Sequence, residues 1–464
     1  SSFANRLHQI LQNSTTYLVF PSCKTSRFEH SLGVMSYASL LFLNGLKNSA
    51  IAKEYLNDKK AVLLNLINED ANFFNYYYDE AVDEKDRYLI FSTFLIKTFG
   101  KNNSNKAKII TDKTFCKEVN KELISLIGDV FIEKNLGLLN SNLDPIVKFT
   151  YMILFQTIRL YGLLHDIGHL PFSHIFEFSI ESAYDSCSKK VELKDNATLK
   201  KIKEIVNSGD KTHEIIGKNV TRLILQEIER LICNDKDLNQ KQKIFRVFSV
   251  KCIELFFNEI RKEDTQSKLA SLSAIVNNTI DADRLDFVQR DGYVSGISKS
   301  SGNVERIIKM FYLMKRDTRN KDHYYFVPSI QSLHDVEKLL SDRYNIYQYM
   351  VNHHSVKRSD YILQKTIEIQ LEEEFKSENG SSALIEINVV IDVIDVIYSI
   401  IKSKGNFHEN KYSFTQLTDF WLLSFFSKKY FETLYKAIQS NSKERDTQLL
   451  LLSEIYESKR SFKR

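Results

Sequence analysis

Three of the eleven histidines fall within ten residues, in the run His165-Asp166-Ile167-Gly168-His169-Leu170-Pro171-Phe172-Ser173-His174. A helix places residues four apart on one face, so this spacing lets His165 and His169 address one cavity. Asp166 adds a hard anionic donor beside them, and imidazole with carboxylate suits Fe, Mn, Zn, Co or Ni. Pro171 ends the regular helix, so His174 can return to the same cavity from a turn, and Gly168 permits close backbone approach. An isolated His-Asp pair is more often a surface hydrogen bond or an N-cap. Three further stretches raise the metal reading. Arg27-Phe28-Glu29-His30-Ser31-Leu32-Gly33 sets a histidine at the start of an apolar helix, after a cation. His213-Glu214 opens another helix and offers an acid or base. Asp281-Ala282-Asp283-Arg284-Leu285-Asp286 presents three carboxylates, of which one is available as a ligand; helix capping and first-turn placement account for the others.

The elements that must position these groups are mostly helical. The chain has 464 residues, of which 43% are hydrophobic and 27% charged, with only 14 Gly and 4 Pro. Few breakers among many helix formers favour a mainly α fold. Periodicity predicts helices over residues 31–46, 146–165, 218–233, 242–261, 279–291 and 337–353. It also predicts a helix followed by an extended piece over 3–20, and a loop with one short helix over 186–211. Residues 323–327 and 384–388 are the strand candidates. The aromatic, Asn/Lys-rich stretch from about 45 to 145 reads as an inserted helical lobe. The division expected is a core over 1–365 that carries this insert, followed by a smaller C-terminal region over 366–464, helical with minor β. No internal repeat stands out.

Composition excludes several classes. The net charge is +5, from 64 basic and 59 acidic residues, and describes a mixed surface with no nucleic-acid footprint. Five cysteines, an odd number without C-x-x-C spacing, argue against a disulfide framework and a thiolate zinc site, and point to a reducing cytoplasm. No signal-peptide pattern opens the chain, and no run of about 18 uncharged apolar residues offers a membrane span.

These stretches, in this order, resemble the HD superfamily, and more narrowly its deoxynucleotide triphosphohydrolase branch, which includes bacterial enzymes and the animal enzyme fused to a sterile alpha motif. The resemblance runs from Arg6-Leu7 through Tyr17-Leu18-Val19-Phe20-Pro21 to Gly33. It resumes over 162–177, at His213-Glu214, over 281–296 and over 343–363, with a weaker match at Leu417-Thr418-Asp419 and Arg460-Ser461-Phe462-Lys463. It covers about half the chain and implies a mainly α-helical HD fold with one divalent transition metal on His30, His165, Asp166 and Asp283. It implies catalytic roles for His169, His174 and His213, with Glu214 orienting or assisting. It places Gln12, Arg27, Arg284, Asp291 and Arg343 against the substrate's sugar or phosphates. Mg²⁺ arriving with the substrate, a homo-oligomer (dimer or tetramer) and a nucleotide effector are further implications.

The implied reaction is hydrolysis of a nucleoside triphosphate at the α-phosphorus, releasing nucleoside and triphosphate. Two other readings compete: a phosphodiesterase or nuclease acting on cyclic nucleotides or single-stranded nucleic acid, with Lys101, Lys106 and Lys108 in a groove, and a non-catalytic nucleotide-binding regulator. Some positions depart from the family pattern. Phe287 replaces a tyrosine, Asn13 replaces an apolar residue, and the tyrosine that gates the sugar falls on Val351. His353-His354 reads as structural or substrate-facing, and Lys357-Arg358 as a solvated turn or a phosphate contact.

Overall fold

The computed structural model describes residues 2–70, 95–99, 105–109, 111, 113–126, 142–190, 196–206, 211–263, 265–298, 302–317, 319, 321–377, 390–402, 411–440 and 447–456. The fold is mainly α, as the composition and the resemblance imply.

A central helix, α2 (Arg27–Lys47), packs against α5 (Pro145–Leu164) and α10 (Ala282–Ser295). Its start is fixed by a capping box: the Ser26 hydroxyl accepts from the Glu29 amide while the Glu29 carboxylate accepts from the Ser26 amide. Val34, Ala38, Leu41 and Phe42 then bury one stripe of it. In α5 the Asp144 side chain accepts from the Ile146 amide, and Pro145 occupies the first turn, where its missing N–H costs nothing. Apolar side chains surround α5 on nearly every side, which is why it reads as a buried helix. In α10 Asp281 caps the start by accepting from the Arg284 amide, and Gly296, at φ 73°, ends the helix in the left-handed conformation.

Around this core stand α3 (Ala52–Glu69), α4 (Lys113–Leu126), α6 (His174–Cys187), α7 (Ala197–Val206), α8 (Thr212–Asn234) and α9 (Gln240–Ile260). A helix α11 (Gly302–Lys309) leads to an antiparallel hairpin of β3 (Phe311–Lys315) and β4 (Tyr324–Pro328), which places the expected 323–327 strand nearly where it was read. Next, α12 (Leu333–Ile346) passes into one π-helical turn, Tyr347–Val351, before α13 (His354–Ser377). The C-terminal part comprises α14 (Val390–Lys402), α15 (Asp419–Ser440) and α16 (Thr447–Tyr456), and α13 packs against α14 and α16.

Three expectations are corrected. The 3–20 segment forms a short helix α1 (Ser2–Arg6) and two 3₁₀ turns, because the polar run Asn13-Ser14-Thr15-Thr16 supplies no helical apolar stripe and Ser14 takes φ 45°. The insert is not wholly helical: β1 (Leu95–Phe99) and β2 (Asn105–Ile109) form an antiparallel hairpin within it. Helix α5 stops at Leu164, so His165 and His169 lie on a turn and not on one helix face. The strand expected over 384–388 lies outside the described residues. Among the described residues no helix is long and apolar enough to cross a membrane.

Candidate metal and acid–base centre

The candidate metal donors gather at helix ends. His30 sits in the first turn of α2, Asp283 in the first turn of α10, and His165-Asp166 on the turn that follows α5. His30 Nε2 lies 2.9 Å from Asp283 Oδ1 and 4.0 Å from Asp166 Oδ2. His165 Nε2 lies 3.4 Å from Asp166 Oδ1 and 3.9 Å from Asp283 Oδ1. Donors bonded at about 2.1 Å to one cation stand about 3.0–3.4 Å apart, so these spacings approach those of a shared ion. His165 Nε2 is buried and lacks a hydrogen-bond partner, and an unpaired polar atom is costly in a protein interior unless something charged completes it. The residues therefore fit the ion that the sequence implies.

The other ring nitrogen of each histidine is fixed. His165 Nδ1 donates to the Gly162 carbonyl oxygen at 2.7 Å, and His30 Nδ1 meets Asp286 Oδ2 at 2.8 Å. Asp286 is in turn gripped by Arg290, whose Nε and Nη2 donate to its two oxygens at 2.9 and 2.8 Å. Such partners fix the tautomer and leave Nε2 free to ligate. Gly33 makes room for this arrangement, since a Cβ there would lie 1.8 Å from Asp286 Oδ1. Burial disfavours a charged His30 ring, but the contacts with Asp283 and Asp286 and the pull of Asp166 outweigh it and raise His30 to about 10. The carboxylates thus ask for a positive charge at this point. Asp166 is held well below the carboxylate range: burial opposes its ionisation, but Arg27, His165 and His169 overcome it. Arg27 bonds Asp166 through Nη1 and the Ser173 hydroxyl through Nε.

A second group lies beside the first. Donor atoms of His169, His174, Glu177 and His213 all fall within 4.8 Å of one another. Glu177 accepts from His213 Nδ1 at 2.9 Å and meets His174 Nδ1 at 3.3 Å. The His169 and His213 rings stack, with centroids 4.3 Å apart and planes 15° apart. A cation lies near the plane of each imidazole that binds it, and two nearly parallel, displaced planes share no such point. The stack therefore fits proton transfer better than joint ligation. His169 is pushed down to about 3, by burial first and then by Arg27, so it is neutral near pH 7, with Nδ1 buried and unpartnered. His169 Nε2, 3.3 Å from Asp166 Oδ1, joins the two groups.

Both groups open into a cavity of about 650 Å³, a size suited to a small organic ligand. Gln12, Arg27, Arg284 and Arg343 line it, as do Lys357 and Val351. Phe287 and Tyr347 form one wall, with ring centroids 5.8 Å apart, and the Arg343 guanidinium lies 5.3 Å from the Tyr347 ring centre. Asp291 does not line the cavity; it is buried, and burial pushes it up to about 6. Glu214 does not join the histidines. Its side chain is 58% exposed and faces Lys211 at 3.7 Å. Glu177 takes the place that the sequence assigned to it, a residue whose only signal was its three-residue step from His174. Asp286, read as a first-turn acid, proves to be the partner of His30. Arg358 is held by Glu454, and His353 packs its ring edge-to-face on Phe20.

No family model matches the chain. It is 26% identical over 222 residues to a putative HD domain-containing protein of Acanthamoeba polyphaga mimivirus, a match that covers 47% of this chain and 38% of that protein. The HD-domain reading is supported. An uncharacterised Bacillus subtilis protein, YwfO, is 24% identical over 206 residues, covering 44% of this chain and 35% of its own length. A Mycoplasma pneumoniae protein described as an MG461 homolog is 27% identical over 193 residues, covering 42% and 36%. The matched segment thus spans little more than a third of each of these curated relatives. A phosphohydrolase structure from Bacteroides thetaiotaomicron aligns over 99% of this chain and 72% of its own, at 14% identity and a TM-score of 0.49.

Proposed function

We propose that this HD centre is a metal-dependent phosphohydrolase that cleaves nucleoside triphosphates at the α-phosphorus, releasing nucleoside and triphosphate. The observation that carries the reading is the junction of two groups through Asp166: His30, His165 and Asp166 gathered for one divalent transition ion, with Asp283 2.9 Å from His30 and 3.9 Å from His165, and a histidine–glutamate network whose His169 and His174 line the same cavity. His30, His165, Asp166 and Asp283 hold the ion. When bound, a divalent cation supplies Lewis acidity toward a phosphoryl oxygen and toward water.

The chain's own groups do the rest. Arg284, Arg343 and Lys357 offer charge to the polyphosphate, and a guanidinium fork matches two phosphate oxygens at once. His169, neutral near pH 7, contacts the α-phosphate or accepts a hydrogen bond from the attacking water. His174, half exposed and reached by Glu177, delivers a proton to the leaving oxygen, with His213 behind it. Gln12, at the cavity wall with a buried and unpartnered Oε1, meets the sugar. Mg²⁺ accompanies the triphosphate.

The deciding assay supplies purified protein with Mn²⁺ and Mg²⁺ and offers ribo- and deoxynucleotides singly, with products resolved as triphosphate, pyrophosphate or phosphate. Release of triphosphate supports the reading. Cleavage confined to cyclic nucleotides or single-stranded nucleic acid, weakening steeply with salt, replaces it with a phosphodiesterase. Nucleotide binding without turnover replaces it with a regulator.

A further inference from the structure

The turn that carries His169 and leads into His174 is bent into a conformation that its own residues disfavour. Phe172 and Ser173 are consecutive non-glycine residues with φ 51° and 54°. Such backbone persists only where its surroundings over-determine it.

The surroundings here are two buried charges from opposite ends of the chain. Asp419, at the start of α15, accepts from the Phe172 amide through Oδ1 at 2.6 Å and from the Leu11 amide through Oδ2 at 2.8 Å. Arg6, at the end of α1, donates through Nη2 to the carbonyls of Ile167 and His169, at 3.0 and 2.7 Å, and through Nη1 to that of Leu417 at 2.8 Å. Both side chains are over 95% buried, and Arg6 lies over the Phe414 ring. The carboxylate takes the amide of the turn and the guanidinium takes its carbonyls, so the turn is held at both of its polar faces. Gly168 completes the mould: a Cβ there would lie 2.0 Å from the His213 carbonyl oxygen, so the turn sits directly against α8. Neither Arg6 nor Asp419 lines the cavity.

We propose that Arg6 and Asp419 are positioning residues: they lock the 167–173 turn in its strained form and so hold His169 and His174 against Glu177 and His213. The proposal rests on the phosphohydrolase reading for its rate measurement alone. A relaxed turn would carry His174 away from Glu177; His30 and Asp283, on α2 and α10, would stay in place, and His165-Asp166, ahead of the clamped residues, keep their own anchors in the Gly162 carbonyl and Arg27.

The test is Asp419→Asn in the full chain. An asparagine amide accepts at one oxygen only, so it cannot serve both backbone N–H groups. Three properties are measured together: bound metal, kcat and KM on the best nucleotide, and the crystal structure of the variant. The expected result is full metal content, an unchanged KM, a kcat lowered on the order of tenfold to a hundredfold, and a crystal structure with His174 displaced from Glu177. Leu422→Ala, a buried truncation on the same helix, controls for stability and should lower the melting temperature with kcat retained. If Asp419→Asn does not fold, Arg6→Lys, which keeps the charge and loses the fork, is read in the same way. A folded Asp419→Asn protein with wild-type kcat overturns the proposal, as does a kcat loss that Leu422→Ala reproduces. If the wild type cleaves no nucleotide, the functional reading fails, and the positioning proposal then stands or falls on the crystal structure: an unmoved turn overturns it.

Discussion

Oε1 of Glu177 lies 2.9 Å from Nδ1 of His213, and the other oxygen of the same carboxylate meets Nδ1 of His174 at 3.3 Å. One acid thus governs two imidazoles. Burial opposes its ionisation, but the His174 and His213 contacts overcome this and hold Glu177 well below the usual carboxylate range. Its negative charge therefore persists at every pH at which the protein would work, and it fixes Nδ1 as the proton-bearing nitrogen of both rings.

Glu177→Gln should keep the metal and lose turnover. An amide no longer stabilises an imidazolium, and general acid–base contributions of about 10²–10⁴ are at stake. Metal analysis beside steady-state kinetics checks this. Glu214→Gln, on the exposed partner of Lys211, should turn over nearly as the wild type does, and equal losses in the two variants would remove the relay.

His165→Ala and Asp166→Ala should each lose bound metal and activity while retaining the helical far-ultraviolet spectrum. Near-full turnover in metal-analysed protein of either variant would mean that the centre lies elsewhere.

Asp286→Asn should weaken metal binding by about 10- to 100-fold without touching a donor atom, because it frees the His30 ring to turn. Competition with a metal chelator reports the affinity, and an unaltered value would show that α2 alone orients His30.

The metal-free protein should lose stability with rising pH. Folded His30 keeps its proton up to about 10, whereas in the unfolded chain it lets go near 6.5. The stabilisation from that proton is complete below about pH 6.5 and is lost as pH rises through about 10. Metal-free protein should therefore melt at falling temperatures between pH 7 and 10, and protein loaded with Mn²⁺, in which the cation replaces the proton, should show a weaker slope. Parallel slopes for the two forms would refute this account.

Val351→Tyr should favour deoxy- over ribonucleotides. Val351 lines the cavity, where a phenol ring would fill the room available to a 2′-hydroxyl. The ribo-to-deoxy ratio of kcat/KM is the measurement, and a ratio unmoved from wild type would place the sugar elsewhere.

The helices were legible where periodicity and capping agreed. Arg27–Lys47 shows its apolar stripe and its Ser26/Glu29 box, and Pro145–Leu164 shows Asp144, Pro145 and then a long apolar run. The candidate metal donors were legible because three separate stretches each offered a histidine or a carboxylate at a predicted helix boundary. Asp286 and Glu177 were not, since an acid in the first or second turn of a helix looks the same in sequence whether it faces water or an imidazole. Their roles depend on packing between elements, α10 on α2 and α6 on α8, which no local pattern records. Glu214 shows the converse error: adjacency to His213 suggested partnership, yet neighbouring residues on a helix point about 100° apart. The strained turn was also hidden, because nothing in Leu170-Pro171-Phe172-Ser173 signals two positive-φ residues in a row.

The clamp on that turn joins the sixth residue to the 419th. A ribosome feeds the chain out from one end, so a nascent polypeptide can shape α2 and α5 long before α10 supplies Asp283, and it cannot lock the histidines until α15 emerges. On the positioning proposal, the acid–base histidines are therefore set only after the candidate metal donors of α2, α5 and α10 have already been made.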